Sequence, residues 1–310
     1  MAVPLRSGAF PDVLDARFAR IFDKQYSELP DRLGDFYSMK GNEGPQNQNV
    51  LYSELGEFSD VEEFTGTLSY DDISQGYDVT FTHVQYAKGM QIERQLFDDA
   101  QNNQMDAQPK KMALAYQRTR QKHGATAFNG AFSNDTTWQN HTESVALCSD
   151  SHTTTSGAST AAGFDNLVTA ALSAVAVESA RIQMRGFRGD RAQRITVVPS
   201  GLVVPPDLAP QAFEIVQSQG KPDTANNNAN SSYNQYRIYD WEYLTDTNNW
   251  FMVDAAMMQN DATGLVWHDR LPMEFAMVED FDSLIGKWRI YARYSLGRIG
   301  WRFILGAQVS

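Results

Sequence analysis

Cys148, Asp150 and His152 set a thiol, a carboxylate and an imidazole within five positions. These are the group types used in thiol-dependent hydrolysis, where a base activates the nucleophile. A catalytic cysteine and histidine normally converge from distant segments, and three residues this close along one chain rarely reach triad geometry. The expected role of His152 is therefore to hydrogen-bond its own connector loop. His83, His123, His141 and His268 have no metal-ligand spacing. No glycine-rich phosphate loop occurs, and Met257-Met258 reads as packing. No cofactor and no metal are expected. The sequons Asn134-Asp-Thr136, Asn140-His-Thr142 and Asn230-Ser-Ser232 carry little meaning without a secretory signal.

Charge is the stronger signal. From Gly41 to Ala87 there is no Lys or Arg, but there are nine acids: Glu43, Glu54, Glu57, Asp60, Glu62, Glu63, Asp71, Asp72 and Asp78. From Ala107 to Phe128 there is no acid, but there are Lys110, Lys111, Arg118, Arg120 and Lys122. Two readings stay open. Both stretches are solvated faces, or the acidic stretch of one copy lies across the basic stretch of another. Each exposed ion pair contributes only about 0–1 kcal/mol, so such charges set register and partner choice more than strength. Burial of Phe58, Phe64, Leu68 and Tyr70 would supply more. A second cluster, Arg181, Arg185, Arg188, Arg191 and Arg194, surrounds one acid, Asp190. It reads as a solvated loop, a contact between copies, or a weak, salt-sensitive contact with DNA.

The net charge of -12 argues against a dedicated nucleic-acid binder, whose affinity comes from neutralising phosphates. It leaves room for a container whose wall must not stick to DNA. At 310 residues, 42% hydrophobic and with six Trp, the chain suffices for one large or two modest folded domains. The single cysteine rules out an intramolecular disulfide. The start lacks the apolar core of a signal peptide, and Leu167 to Val177 is far shorter than the roughly 20 residues that span a bilayer. A cytoplasmic, soluble, non-secreted protein with no membrane partner is expected.

The elements that would position these residues read as α+β. Residues 1–48 look like an arm with little core of its own, although Val13, Leu14, Phe18, Ile21 and Phe22 have helical spacing over Asp12 to Tyr26. Residues 50–90 alternate as a long two-stranded β-arm with a turn at Ser74-Gln-Gly76. An isolated hairpin is marginal in water, so this arm needs a partner surface. Residues 91–128 are mostly helical, beginning at Arg94 to Asp99. Asp106 caps the second helix and Pro109 sits in its first turn. That helix runs to Phe128, roughly 33 Å, with Met112, Ala115, Tyr116 and Thr119 as a stripe. Residues 129–163 connect to an alanine-rich helix over Asp165 to Arg185. A β unit from Arg194 to Val204 closes at Pro205-Pro206. A helix follows from Pro210 to Gln219, then a loop from Pro222 to Gln235. Tyr236 to Met258 and Gly264 to Met277 alternate like strands. Lys287 to Val309 reads as a strand pair turning at Gly297 to Gly300. A central module is thus inserted into one built from both chain halves.

This order of elements resembles the major capsid proteins of tailed bacteriophages, the Hong Kong 97-type fold, and within them the branch of the Mu-like major head subunit. Four strings carry the resemblance. Gly66-Thr-Leu through Tyr77-Asp-Val-Thr-Phe to Ile92-Glu-Arg94-Gln-Leu-Phe-Asp98-Asp99 is similar to the extended loop passing into the spine helix. Ala146-Leu-Cys-Ser-Asp-Ser-His152, with Gly157, Asp165-Asn166 and Leu172-Ser173, resembles the family's connector. Val197-Val-Pro199-Ser-Gly-Leu-Val-Val-Pro205-Pro206 resembles the strand-turn opening the axial domain. Ile290-Tyr-Ala-Arg-Tyr294, Gly297 and Gly300 resemble the closing peripheral strands.

The resemblance implies an N-arm at 1–48 and an extended β-hairpin loop at 49–90. It implies a peripheral domain at 91–144 and 266–310, with its spine helix at 106–128, and an axial domain at 145–265. It further implies a structural protein, not an enzyme, that forms pentamers and hexamers of an icosahedral shell around double-stranded DNA. The site of action would be the virion capsid, with assembly in the host bacterial cytoplasm. In this fold the extended loop overlaps an adjacent subunit, so Glu57, Phe58, Glu62, Glu63, Phe64, Leu68 and Tyr70 are expected to meet Lys110, Lys111, Arg118, Arg120 and Lys122 of a neighbour. The Arg181 to Arg194 cluster would face the lumen and touch packaged DNA weakly. Some relatives cross-link through a lysine of the loop; none stands between Gly41 and Ala87, so a non-covalent shell is expected. A separate scaffolding protein is implied, since no long coiled segment precedes the fold, while a portal and a decoration protein are implied by the family alone. Three rivals remain: an encapsulin-like compartment holding protein cargo, a tail or baseplate protein, and a cytoplasmic thiol hydrolase using Cys148 and His152.

Overall fold

The computed structural model describes residues 10–41, 49–66, 68, 70, 75–93, 102–220, 228–280 and 285–309. Helix α1 (Phe10–Glu28) ends before Pro30, and the single turn α2 (Leu33–Phe36) follows. Strand β1 is Ser38–Lys40, β2 Asn49–Leu55, β3 Gln75–Thr82 and β4 Val84–Glu93. The long helix α3 spans Asn102–Asn129, and β5 is Gln139–His141. Then come β6 (Leu167–Val168), α4 (Ala174–Met184), β7 (Gly201–Val204), α5 (Ala209–Gln217) and β8 (Arg237–Asp240). The chain closes with β9 (Trp250–Val253), α6 (Ala255–Met258), β10 (Leu265–Asp280), β11 (Ile285–Arg298) and β12 (Ile304–Ala307). The class is α+β, as expected.

Three sheets organise these elements. One has the order β1-β10-β11-β4, with α1 and α3 packed on it; the second is β6-β12-β9-β7-β8; the third is β2-β3-β5. One apolar core runs from α1, α2 and α3 through both larger sheets. The expectation that residues 1–48 carry little core is corrected. Phe18, Phe22, Leu33, Phe36 and Tyr37 are fully buried. Phe36 stacks on Trp241 at 4.6 Å, and the Tyr37 hydroxyl donates to the Gly124 carbonyl at 2.7 Å. A Cβ at Gly124 would meet the end of the Leu33 side chain and force it to shift.

Several element boundaries also differ. α3 begins at Asn102, so Pro109 lies inside the helix and Asp106 is no cap; it accepts from Arg17 at 2.6 Å. The residues Arg94 to Asp99 and Ser74 lie outside the described residues, whereas Gln75 and Gly76 already belong to β3. Among the described residues the β-arm forms a ladder at its root, where β2 pairs with β3. From Gly56 to Gly66 the chain has no strand, and past His83 it leaves the arm to pair with β11. The helix expected from Asp165 starts only at Ala174, because Ser173 caps it by accepting from the Ala176 amide at 3.1 Å. Upstream, Leu167–Val168 are extended beside β12. The strand pair over Lys287 to Val309 is not a pair. β11 lies between β10 and β4, while β12 lies between β6 and β9 in the other sheet. Gly297 still belongs to β11, and the chain crosses between sheets over residues 299–303. Residues 304–307 join the sheet of the 145–265 segment, not that of the remaining closing strands.

Candidate assembly surfaces

The root of the arm is fastened to its own chain. Glu54 takes an ion pair from Arg302 at 3.1 Å, and Arg302 also lies over the Trp301 ring and donates to the Arg188 carbonyl at 2.8 Å. Burial raises the Glu54 pKa, and Arg302 only partly offsets this. Tyr77 and Thr153 share a hydroxyl–hydroxyl bond at 2.6 Å. The Gln193 amide, turned to satisfy both bonds, donates to the Phe58 carbonyl at 3.1 Å and accepts from the Asp60 amide at 2.8 Å. Glu57 is half-buried, its carboxylate filling the space that Gly189 leaves open.

Beyond this root the described arm residues are exposed. Val61 is 100% accessible, Tyr70 89% and Phe64 68%, and Phe58 and Leu68 are likewise exposed. Glu62 and Glu63 are exposed and have no ion pair among the described residues. This is a strip of large apolar side chains mixed with uncompensated acids. Such a strip is costly to leave in water and marks an interaction site.

Helix α3 has two unlike faces. Met112, Ala113, Tyr116, Ala125 and Phe128 are buried on one, while Lys110, Lys111, Arg118 and Lys122 are exposed on the other, with Leu114 among them. Lys111, Leu114, Arg118 and Lys122 follow helical i, i+3, i+7, i+11 spacing, one continuous row. The expectation for Arg120 is corrected. It is buried, donates to the Tyr26 hydroxyl at 2.9 Å, pairs with Asp269 at 3.4 Å, and lies over the Trp267 ring at 5.0 Å. Burial alone would lower its pKa, but Asp269, Tyr26 and Tyr116 more than reverse this. Arg120 ties α3 to α1 and β10 and is not available to a neighbour.

The arginine cluster divides. Arg181 pairs with Glu178, and Arg188 donates to the Ala192 carbonyl across its own loop. Arg191 is half-buried, and Arg185 and Arg194 are exposed.

Cys148 and His152 form no nucleophile–base pair. The His152 ring stacks flat on Trp301 at 4.2 Å; its Nδ1 meets Glu143 at 3.0 Å and its Nε2 meets the Asn166 side-chain oxygen at 3.2 Å. Burial pushes the Glu143 pKa up, but His152, the Thr153 amide and Arg298 together hold it below the ordinary value. Asn166 also donates to the carbonyls of Leu147 and Ile304. Burial pushes the Cys148 thiol well above its ordinary pKa, away from thiolate chemistry, and Asp150 points to solvent. This is a clasp that fixes the connector, the bonding role expected of His152. Among the described residues no group of three or more His, Cys, Asp or Glu is placed to hold a metal, and no helix is long and apolar enough to cross a membrane.

Sequence reasoning missed Leu114, Glu54–Arg302 and the apolar residues Val175, Ile182 and Phe213 on the outer faces of α4 and α5. Helical spacing placed Leu114 in the basic row. Nothing local signals the Glu54–Arg302 pair, whose members are 248 positions apart.

A family model described as phage capsid protein matches residues 76–306, from β3 to β12. No curated protein matches. Among solved structures, the procapsid of bacteriophage JBD30 is similar over 98% of this chain and 76% of that one, at 12% identity and a TM-score of 0.54. Mycobacterium phage Patience is similar over 96% of this chain and 88% of that one, at 10% identity and 0.56. The capsid of Myoviridae phage XM1 gives 89% and 90%, at 10% identity and 0.53. The fold reaches beyond the matched residues to α1 and the arm, and the exposed strip and basic row lie on it uncovered among the described residues. The chain belongs to the phage capsid protein family, as a major capsid protein of the Hong Kong 97-type fold.

Proposed function

We propose that this chain joins copies of itself into the pentamers and hexamers of an icosahedral phage head enclosing double-stranded DNA, held together without covalent cross-links. The observation that carries this reading is the exposed arm. Phe58, Val61, Phe64, Leu68 and Tyr70 are apolar surface with no covering in their own chain among the described residues. The exposed row Lys110, Lys111, Leu114, Arg118 and Lys122 has the complementary charge and an apolar centre. Obligate interfaces of this kind commonly bury about 2,000–5,000 Å². The arm of one copy lies across α3 of its neighbour, with Glu62 and Glu63 setting the register.

The proposed division is an arm at 1–48, an extended loop at 49–83, a peripheral domain at 84–144 and 266–310, and an axial domain at 145–265; the loop ends at 83, not 90, because β4 pairs with β11. The pairing of β12 supports moving 304–307 to the axial side. The net charge of -12 supports only weak, non-specific contact with packaged DNA. A separate scaffolding protein, a portal and a decoration protein complete the proposed set of partners, with assembly in the host bacterial cytoplasm. Negative-stain imaging of the purified chain tests the reading. Capsomer rings or polyhedral shells are the expected result; tubes, fibres or isolated monomers overturn it. Protein cargo in place of DNA inside particles from infected cells would convert the reading to a storage compartment.

A further inference from the structure

Where the root of the arm meets the rest of its chain, distant segments close around one small cavity. Glu54 comes from β2, Tyr77 from β3, Thr153 from the connector, Asp190 from the loop after α4, and Trp301 and Arg302 from the crossing into β12. The cavity has room for one water-sized particle.

Its wall is acidic. Arg302 is the one lysine or arginine on it among the described residues. That guanidinium is already engaged by Glu54 at 3.1 Å, by the Arg188 carbonyl at 2.8 Å and by the face of Trp301. Glu143 also lines the cavity, but its carboxylate is held by the His152 ring at 3.0 Å and the Thr153 amide at 3.1 Å. Asp190 is left over. It is 8% accessible, its Oδ1 accepts from the Thr154 hydroxyl, and its carbonyl accepts from Thr154 and Ser156 at 2.7 and 2.6 Å. Its Oδ2 is buried with no hydrogen-bond partner, and Asp190 takes no ion pair among the described residues. Burial raises the Glu54 pKa, Arg302 offsets this in part, and the charges of Asp190 and Glu143 raise it again. A buried carboxylate is stable only where a cation or hydrogen-bond donors meet it.

We propose that this cavity is a calcium site: one dehydrated ion held by Asp190 Oδ2 and the Glu54 carboxylate, with the Tyr77 and Thr153 hydroxyl oxygens as neutral ligands, tying the root of the arm to the loop after α4. All these ligands lie in one chain, so the inference goes beyond the shell reading and does not rest on it. Every donor is an oxygen, which suits a hard cation. The His141 ring on the same wall is engaged, its Nε2 donating to the Ile299 carbonyl at 2.9 Å and its Nδ1 accepting from the Glu143 amide at 3.2 Å. Tyr77 and Thr153 bond to each other at 2.6 Å, which uses one hydroxyl hydrogen and leaves lone pairs on both oxygens. Bidentate binding by the carboxylates brings the set into calcium's range. Magnesium demands near-octahedral geometry and keeps several waters, for which the cavity has no room. Two carboxylates from separate segments make no motif that spacing could reveal.

The test uses the full chain stripped of metal with EDTA. Calcium chloride at about a hundredfold the dissociation constant should raise the thermal unfolding midpoint by about 5 °C, and magnesium chloride at the same concentration by less than about half as much. Terbium(III), which enters calcium sites, should luminesce on excitation of tryptophan, because Trp301 lines the cavity, and calcium should displace it. Hydrogen exchange at 49–55 and 188–194 should slow when calcium is added. Asp190→Asn keeps the shape and the Oδ1 acceptor. It should lose the calcium shift and the terbium signal, yet unfold no earlier than the unsubstituted chain in EDTA, because it removes an uncompensated buried charge. Should it unfold earlier, Glu54→Gln decides, and a terbium signal that survives Glu54→Gln overturns the site. The proposal is also overturned by an unsubstituted chain with neither calcium shift nor terbium signal, by responses that persist in Asp190→Asn, or by equal shifts from magnesium and calcium, which mark general charge screening. None of these results touches the shell reading.

Discussion

Arg120 and Lys122 stand two positions apart on α3, yet they do different work. Arg120 is locked between Tyr26, Asp269 and Trp267, whereas Lys122 faces solvent. Arg120→Met should cost the dissociated monomer about 3 kcal/mol in denaturant unfolding, because it strands the partly buried Asp269. Lys122→Met should change monomer stability by less than about 0.5 kcal/mol and weaken assembly instead. This distinction was legible. Met112, Tyr116 and Arg120 follow one another at four-residue steps, so the apolar stripe already placed Arg120 on the inner face. Its positive charge drew it into the surface group.

Three histidines give a pH signature at the same scale. His83, His141 and His268 are buried, and each pKa is lowered to about 4. Burial is the chief cause, with Arg293 and Arg270 acting on His83, Arg298 on His141, and His83 and Lys40 on His268. Unfolded, such groups titrate at about 6.5. Between about 4 and 6.5 the unfolded chain therefore binds more protons, and stability falls as pH falls through that window. Chemical unfolding at pH 7 and pH 4.5 should show this loss. A His83→Phe, His268→Phe chain should show a shallower slope, because two of the depressed groups are removed; His268 packs on Phe81 and His83 on His268.

At the scale of elements, the arm and α3 make one testable pair. Reversing Lys110, Lys111 and Arg118 to Glu should block shell formation while monomers stay folded, since all three side chains are exposed. Normal particles from that triple variant would discard the arm–helix contact. Periodicity made the helices and most strands readable: the Phe18 and Phe22 spacing of α1, the two faces of α3, and the alternation of β10 and β11. It was silent about partners. The alternating run from Lys287 onward is genuine, but alternation carries no information on which strand lies alongside. The pairing of Ile304 to Ala307 with β6 and β9 shows that this segment crosses into the other sheet. The start of α4 was misread because apolar content continued upstream of Ser173, where Asn166 instead serves as a hydrogen-bonding hub in extended chain.

At the scale of the molecule, acids concentrate on the arm and bases on α3 and the 181–194 segment. A chain so divided satisfies its charges best against copies of itself. The lack of lysine from Gly41 to Ala87 has a consequence. Particles boiled under reducing conditions should run as monomers on a denaturing gel, and covalent ladders would refute the non-covalent shell.

Sedimentation of the purified full-length chain across a range of concentrations addresses self-assembly most directly. The account predicts mass-action growth from monomer to capsomer rings or larger shells, weakened when Phe64 and Tyr70 are both replaced by Ser. A chain that stays a single compact monomer at the highest concentration, with its 49–66 segment protected from protease, would contradict it.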